Sequence, residues 1–87
     1  MINQVYAIRD LKADYFQNLW LAQNDQVAVR NFRTLVNDKS TQFGLYPEDY
    51  DLYLIGSFDQ VSGEMLPKLV SICNGSSLKG GNENGDV

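Results

Sequence analysis

A turn dense in carboxylates runs straight into an alternating strand, and this constrains the fold of the chain more than any other segment. The stretch is Tyr46-Pro47-Glu48-Asp49-Tyr50-Asp51-Leu52-Tyr53-Leu54-Ile55-Gly56-Ser57-Phe58-Asp59. Pro47 fixes its own φ and pushes Tyr46 toward extended backbone. From Tyr50 onward the side chains alternate with the period of a strand. Leu52, Leu54 and Gly56 take one face; Tyr53, Ile55 and Ser57 take the other. Asp59-Gln60-Val61-Ser62-Gly63 reads as a hairpin loop in which Gly63 supplies a positive φ. Residues 64–73 return as a strand, strongest over 69–73, and Pro67 puts that strand at an edge or a bulge.

The first half predicts the rest of the sheet and one helix. Residues 5–8 have strand character, 10–14 are polar and turn-like, and the aromatic and aliphatic residues of 15–22 suit a second strand. Asn24-Asp25 offers a helix N-cap. Ala28, Val29, Phe32, Leu35 and Val36 then recur at spacings of three and four, which makes one buried helical stripe. Arg30, Arg33, Thr34 and Asn37 fall on the opposite side. Residues 40–46 form a connector, with Gly44 expected at a left-handed or bending position. After Asn74 the composition shifts to Gly, Ser and Asn, and 75–87 are expected to be a flexible, disordered tail. The predicted fold is therefore α+β: a small, mostly antiparallel sheet in β-β-α-β-β order, one covering helix, and a single domain over residues 1–74.

With 87 residues, of which 44% are aliphatic or aromatic, the chain can build one core. A chain this short is marginal alone. One helix cannot cover both faces of the sheet, so a homodimer or higher homo-oligomer is expected.

The chain has no histidine and a single cysteine, Cys73. Imidazole acid–base chemistry, the usual zinc sites, Ser-His and Cys-His pairs, and intrachain disulfides are thereby excluded. No phosphate loop is present, so the chain is expected to be no enzyme and to carry no cofactor. Glu48, Asp49 and Asp51 invite comparison with a hard-cation site, but no calcium-loop spacing accompanies them, and a solvated turn accounts for them better. No apolar run is long enough to cross a bilayer and no signal-peptide pattern opens the chain, so a cytoplasmic protein without a membrane role is expected.

The net charge of −4 is unevenly spread. Residues 1–45 hold five cations against four carboxylates, and residues 46–74 hold Lys68 against five. A nucleic-acid site would then use the first half. Arg30 and Arg33 can reach one surface, with Arg9, Lys12 and Lys39 as further phosphate contacts. Tyr15 and Trp20 can stack on unpaired bases, although a short chain also needs such side chains for its core.

Several segments together resemble a known family. Tyr6-Ala7-Ile8-Arg9-Asp10-Leu11-Lys12-Ala13, Tyr15-Phe16, Ala28-Val29-Arg30-Asn31-Phe32, Pro47-Glu48-Asp49-Tyr50-Asp51-Leu52-Tyr53, Gly56-Ser57-Phe58-Asp59 and Gly63-Glu64 appear in that order. The pattern is similar to the small non-structural protein of gokushovirus-type microviruses, phages with circular single-stranded DNA. That resemblance implies a protein of the host bacterial cytoplasm, absent from the mature virion. It also implies a DNA-binding accessory factor in single-stranded DNA genome replication or in the switch to packaging. The alternative is a protein-interaction module that binds phage or host replication proteins without touching DNA.

Overall fold

The computed structural model describes residues 1–80. Four strands form one sheet: β1 (Ile2–Asp10), β2 (Tyr15–Ala22), β3 (Tyr50–Asp59) and β4 (Met65–Asn74). Between β2 and β3 lie the helix α1 (Asp25–Val36), the single turn α2 (Gln42–Leu45) and a 3-10 turn at Pro47–Asp49. The strand order is β2-β1-β3-β4, with every neighbouring pair antiparallel. The predicted α+β class and β-β-α-β-β order are those of the structure.

Period-two alternation decides which face is core. Tyr6 and Ile8 of β1 and Leu52 and Leu54 of β3 join Ala28, Phe32 and Val36 of α1 in one buried cluster. Val5 and Ala7 are buried as well but stand outside that cluster, on the face that the helix leaves open. Burying the stripe of α1 is what holds the helix on the sheet, since a single buried Leu- or Phe-sized side chain contributes about 1.5–3 kcal/mol. Asn24 starts the helix by accepting from the Val27 amide at 3.0 Å, as its cap position predicts.

The sheet is irregular where its register shifts. β2 carries one extra residue between the partners of Tyr6 and Ile8, and Asn18 takes a left-handed φ of 55° within it. Further shifts fall in β3 opposite Val5/Tyr6 and in β4 on either side of residues 70–71.

Two expectations need correction. Gly44 is neither left-handed nor a bend; it sits in α2, and a Cβ there would lie 2.1 Å from the Asp38 carbonyl oxygen. Close backbone approach, not φ, requires glycine. The expected tail also starts later than residue 75. Residues Gly75–Leu78 form a 3-10 turn, and Leu78 enters the core cluster. Lys79 Nζ donates to the carbonyls of Val36 (3.0 Å) and Gly44 (2.9 Å), and the Gly80 amide donates to Asn37 Oδ1 (2.7 Å). A lysine at the carbonyl end of a helix is favoured by the unpaired carbonyls and the dipole there. Residues 81–87 of the expected tail lie outside the described residues.

Candidate nucleic-acid interface

β2 is one edge of the sheet, and α1 crosses the face beside it. Between them runs a cleft of about 430 Å³ lined by Asn18, Leu19, Trp20, Asn31, Thr34 and Leu35. Trp20 is cross-strand from Tyr6, and their ring centroids are 6.0 Å apart. One side of the indole thus rests on the core while the residue stays half-buried. Its Nε1 donates to Asn31 Oδ1 at 3.2 Å, tying the strand edge to the helix. The left-handed Asn18 re-aims the strand next to this tryptophan.

The helix supplies the polar wall. Arg30 is exposed, adjoins Asn31 in sequence, and lies one turn before Thr34, whose hydroxyl donates to the Arg30 carbonyl at 3.2 Å. Arg33 does not share the fully exposed position expected of it. It is half-buried, and its Nε is buried with no hydrogen-bond partner among the described residues. Lys39 is exposed in the turn beyond the C-terminus of α1. Trp20 lines the cleft with Arg30 beside it, whereas Arg33, two positions from both Asn31 and Leu35, falls on the other flank of α1, and Lys39 lies beyond the helix end. An aromatic ring, two side-chain amides and an exposed guanidinium suit an unpaired base and its phosphate.

Arg9, Lys12 and Tyr15 go elsewhere. Arg9 lies over the Phe16 ring, 4.9 Å from its centroid, and is ion-paired to Asp14. Phe16 in turn meets Tyr53 edge to face at 5.2 Å. Lys12 and Tyr15 are exposed at the β1–β2 turn. The Leu11 amide there donates to the Asp49 carbonyl at 2.9 Å, so the turn is clamped onto the carboxylate-rich segment. The basic first half and the acidic second half of the sequence are thus not two halves of the molecule.

A family model described as phage ORF5 protein matches residues 3–78. The chain belongs to the phage ORF5 protein family. The match runs from β1 through the 3-10 turn that buries Leu78, the same extent as the packed body. No curated protein and no solved structure matches the chain.

In this phage ORF5-family protein the cleft was only partly visible in sequence. Trp20 and Arg30 were singled out by residue type. Asn18 interrupts an apolar strand and Asn31 sits between two arginines, which is as much signal as the sequence offers for either. Cys73 is half-buried; burial first, and then the Asp51 carboxylate, push its thiol up and leave it a poor nucleophile. Asp51 itself accepts from Asn74 Nδ2 at 2.8 Å. No described helix is long and apolar enough to cross a membrane.

Proposed function

We propose that this phage ORF5-family protein is a non-enzymatic accessory factor that binds single-stranded DNA in a microvirus of gokushovirus type. It acts in the host bacterial cytoplasm, outside the mature virion, in genome replication or in the switch to packaging. The observation that carries the reading is the cleft at Trp20. A half-buried indole, two convergent amides and the exposed Arg30 stand at a sheet edge, where a flexible strand can reach them. A base stacked on an aromatic ring contributes roughly 1–3 kcal/mol and is tolerant of sequence, which suits a genome-length ligand. The acidic net charge of −4 limits phosphate contacts to the helix side, so the affinity should be modest and strongly salt-dependent.

Trp20 is the one tryptophan of the chain, so its emission reports on the site directly. Titration with single-stranded oligonucleotides should quench that emission. Affinity should drop steeply between 50 and 200 mM salt, the range in which counterion release acts. Replacing Arg30 and Lys39 together by Ala should lower affinity about tenfold and flatten the salt slope by roughly 0.7 per lost phosphate contact. Unquenched emission at low salt, or an affinity indifferent to the double change, would remove the site.

A further inference from the structure

The turn end of the sheet carries a second surface that the cleft does not use. Leu11, Tyr15, Phe16, Leu45 and Tyr46 account for five of the fourteen exposed large apolar side chains among the described residues. Tyr15, two strands across, and Tyr46, four residues upstream, flank the buried Tyr50, whereas Phe16 belongs to the opposite face of the sheet, where it meets Tyr53. Asp10 pairs across β1–β2 with Tyr15 and across β1–β3 with Tyr50. Tyr46 leads into the Pro47–Asp49 turn, whose last carbonyl holds the Leu11 amide. Phe43 closes the inner side, 4.7 Å from the Tyr50 ring, and Gln42 Oε1 accepts from the Tyr50 hydroxyl at 3.3 Å. Burial first, and then the charges of Asp10 and Asp49, push the Tyr50 phenol up.

The rim of this aromatic patch is anionic. On the side of Tyr15 and Tyr46, Asp10, Glu48 and Asp49 stand against Lys12, a local balance of −2, while Arg9 and Asp51 are cross-strand partners on the other face. Asp14 is spent on Arg9, and Asp10 caps its own turn by accepting from the amides of Lys12 and Ala13 at 3.0 Å. Asp51 is held by Asn74. The carboxylates of Glu48 and Asp49 engage no described residue. A solvated turn needs none of the exposed aromatic area beside it, and a monomer gains nothing by exposing it.

We propose that this corner is a docking surface for a basic protein segment, whose Arg or Lys side chains lie on Tyr15 and Tyr46 and pair with Glu48 and Asp49. Charge complementarity selects the occupant. The corner repels phosphate, whereas tyrosine faces attract guanidinium and ammonium groups at about 0.5–2 kcal/mol each. The apolar neighbours Leu11 and Leu45 would cover the aliphatic stems of those side chains. The surface is distinct from the Trp20 cleft and does not depend on DNA binding there.

The probe is a hexa-arginine peptide titrated into the full chain at low salt, followed by backbone amide NMR. The expected shifts are confined to residues 10–16 and 45–50. Tyr46→Ala alone, and Glu48→Gln with Asp49→Asn, should each weaken binding about tenfold. None of these side chains is in the core cluster, so far-ultraviolet circular dichroism should stay unchanged. Shifts spread equally over Asp59 and Glu64, an affinity untouched by Tyr46→Ala, or self-association of the chain through these residues would each overturn the proposal. Binding of single-stranded DNA by the same variants should be unaltered, so a failure here and a failure of the Trp20 cleft are read separately.

Discussion

Tyr6 is a phenol that the fold keeps protonated. It is fully buried, and its hydroxyl donates to Asp25 Oδ1 at 2.5 Å. Burial first, and then the Asp25 hydrogen bond and charge, push its pKa well above the ordinary tyrosine value of 10.0. A raised folded-state pKa means that the folded chain holds the proton longer than the unfolded one. The stabilisation is therefore complete below pH 10 and is lost as pH rises beyond it. Thermal melts should show the melting temperature holding up to about pH 9 and falling above about pH 10. Tyr6→Phe should blunt that fall, at a cost near neutral pH of about 1 kcal/mol for the lost hydrogen bond. An alkaline limb equally steep in Tyr6→Phe would exclude Tyr6 as its source. On the acid side the sign reverses. Asp38, through the Ser40 hydroxyl and amide, and Asp59, through the Val61 and Ser62 amides, are held below the usual carboxylate range. Their contribution is present above that range and fades as pH falls through it. Gly44 offers a second test at this scale. With the Asp38 carbonyl oxygen 2.1 Å from where a Cβ would stand, Gly44→Ala must move backbone, and a loss of roughly 1–3 kcal/mol is expected in denaturant melts.

The elements formed where local signals agreed with burial. The stripe Ala28, Phe32 and Val36 was legible because helical spacing and core position coincide, and Asn24 was legible because its cap chemistry is local. β3 was legible from alternation alone. What the sequence concealed depends on contacts distant in the chain. Gly44 needs Asp38, and Leu78 needs a core built from residues 6–54. A stretch of Gly, Ser and Asn around one leucine carries no periodic signal, so its composition reads as tail although Leu78, Lys79 and Gly80 all bind the C-terminal end of α1 or its surroundings. The Trp20 cleft was concealed for the same reason, since Asn18 and Asn31 meet only when β2 and α1 pack. The corrected end of the domain has a direct check. Leu78→Ala should destabilise by about 2–3 kcal/mol, as a core truncation does, whereas a residue in a free tail would shift the denaturant midpoint by nothing measurable. Asn24→Ala should cost about 1 kcal/mol by removing the N-cap of α1, and helical ellipticity should report it.

On the whole molecule, charge is arranged by surface and not by sequence half. Arg30, Arg33, Lys39 and Lys79 belong to α1 and its C-terminal end, while Glu48 and Asp49, clamped to the neutral β1–β2 turn, carry the opposite sign at one end of the sheet. The arrangement allows the two proposed surfaces to be occupied together, and it fixes how each responds to salt. Oligonucleotide affinity at the Trp20 cleft should fall with a slope set by counterions released from DNA, whereas peptide affinity at the tyrosine corner should fall less steeply, because a short peptide condenses few counterions and cation–π contact persists when charges are screened. Arg30→Ala should weaken the oligonucleotide and spare the peptide; Tyr46→Ala should do the reverse. Adding both ligands should give a ternary complex in sedimentation, with each affinity unchanged within about twofold, since the strand the sites share, β2, is paired to β1 from Tyr15 to Ala22 and offers neither ligand a second arrangement to favour. If saturating peptide instead displaced the oligonucleotide, the two ligands would be competing for one surface, and the division of the molecule into a basic helix side and an acidic turn end would be the wrong description of how it binds.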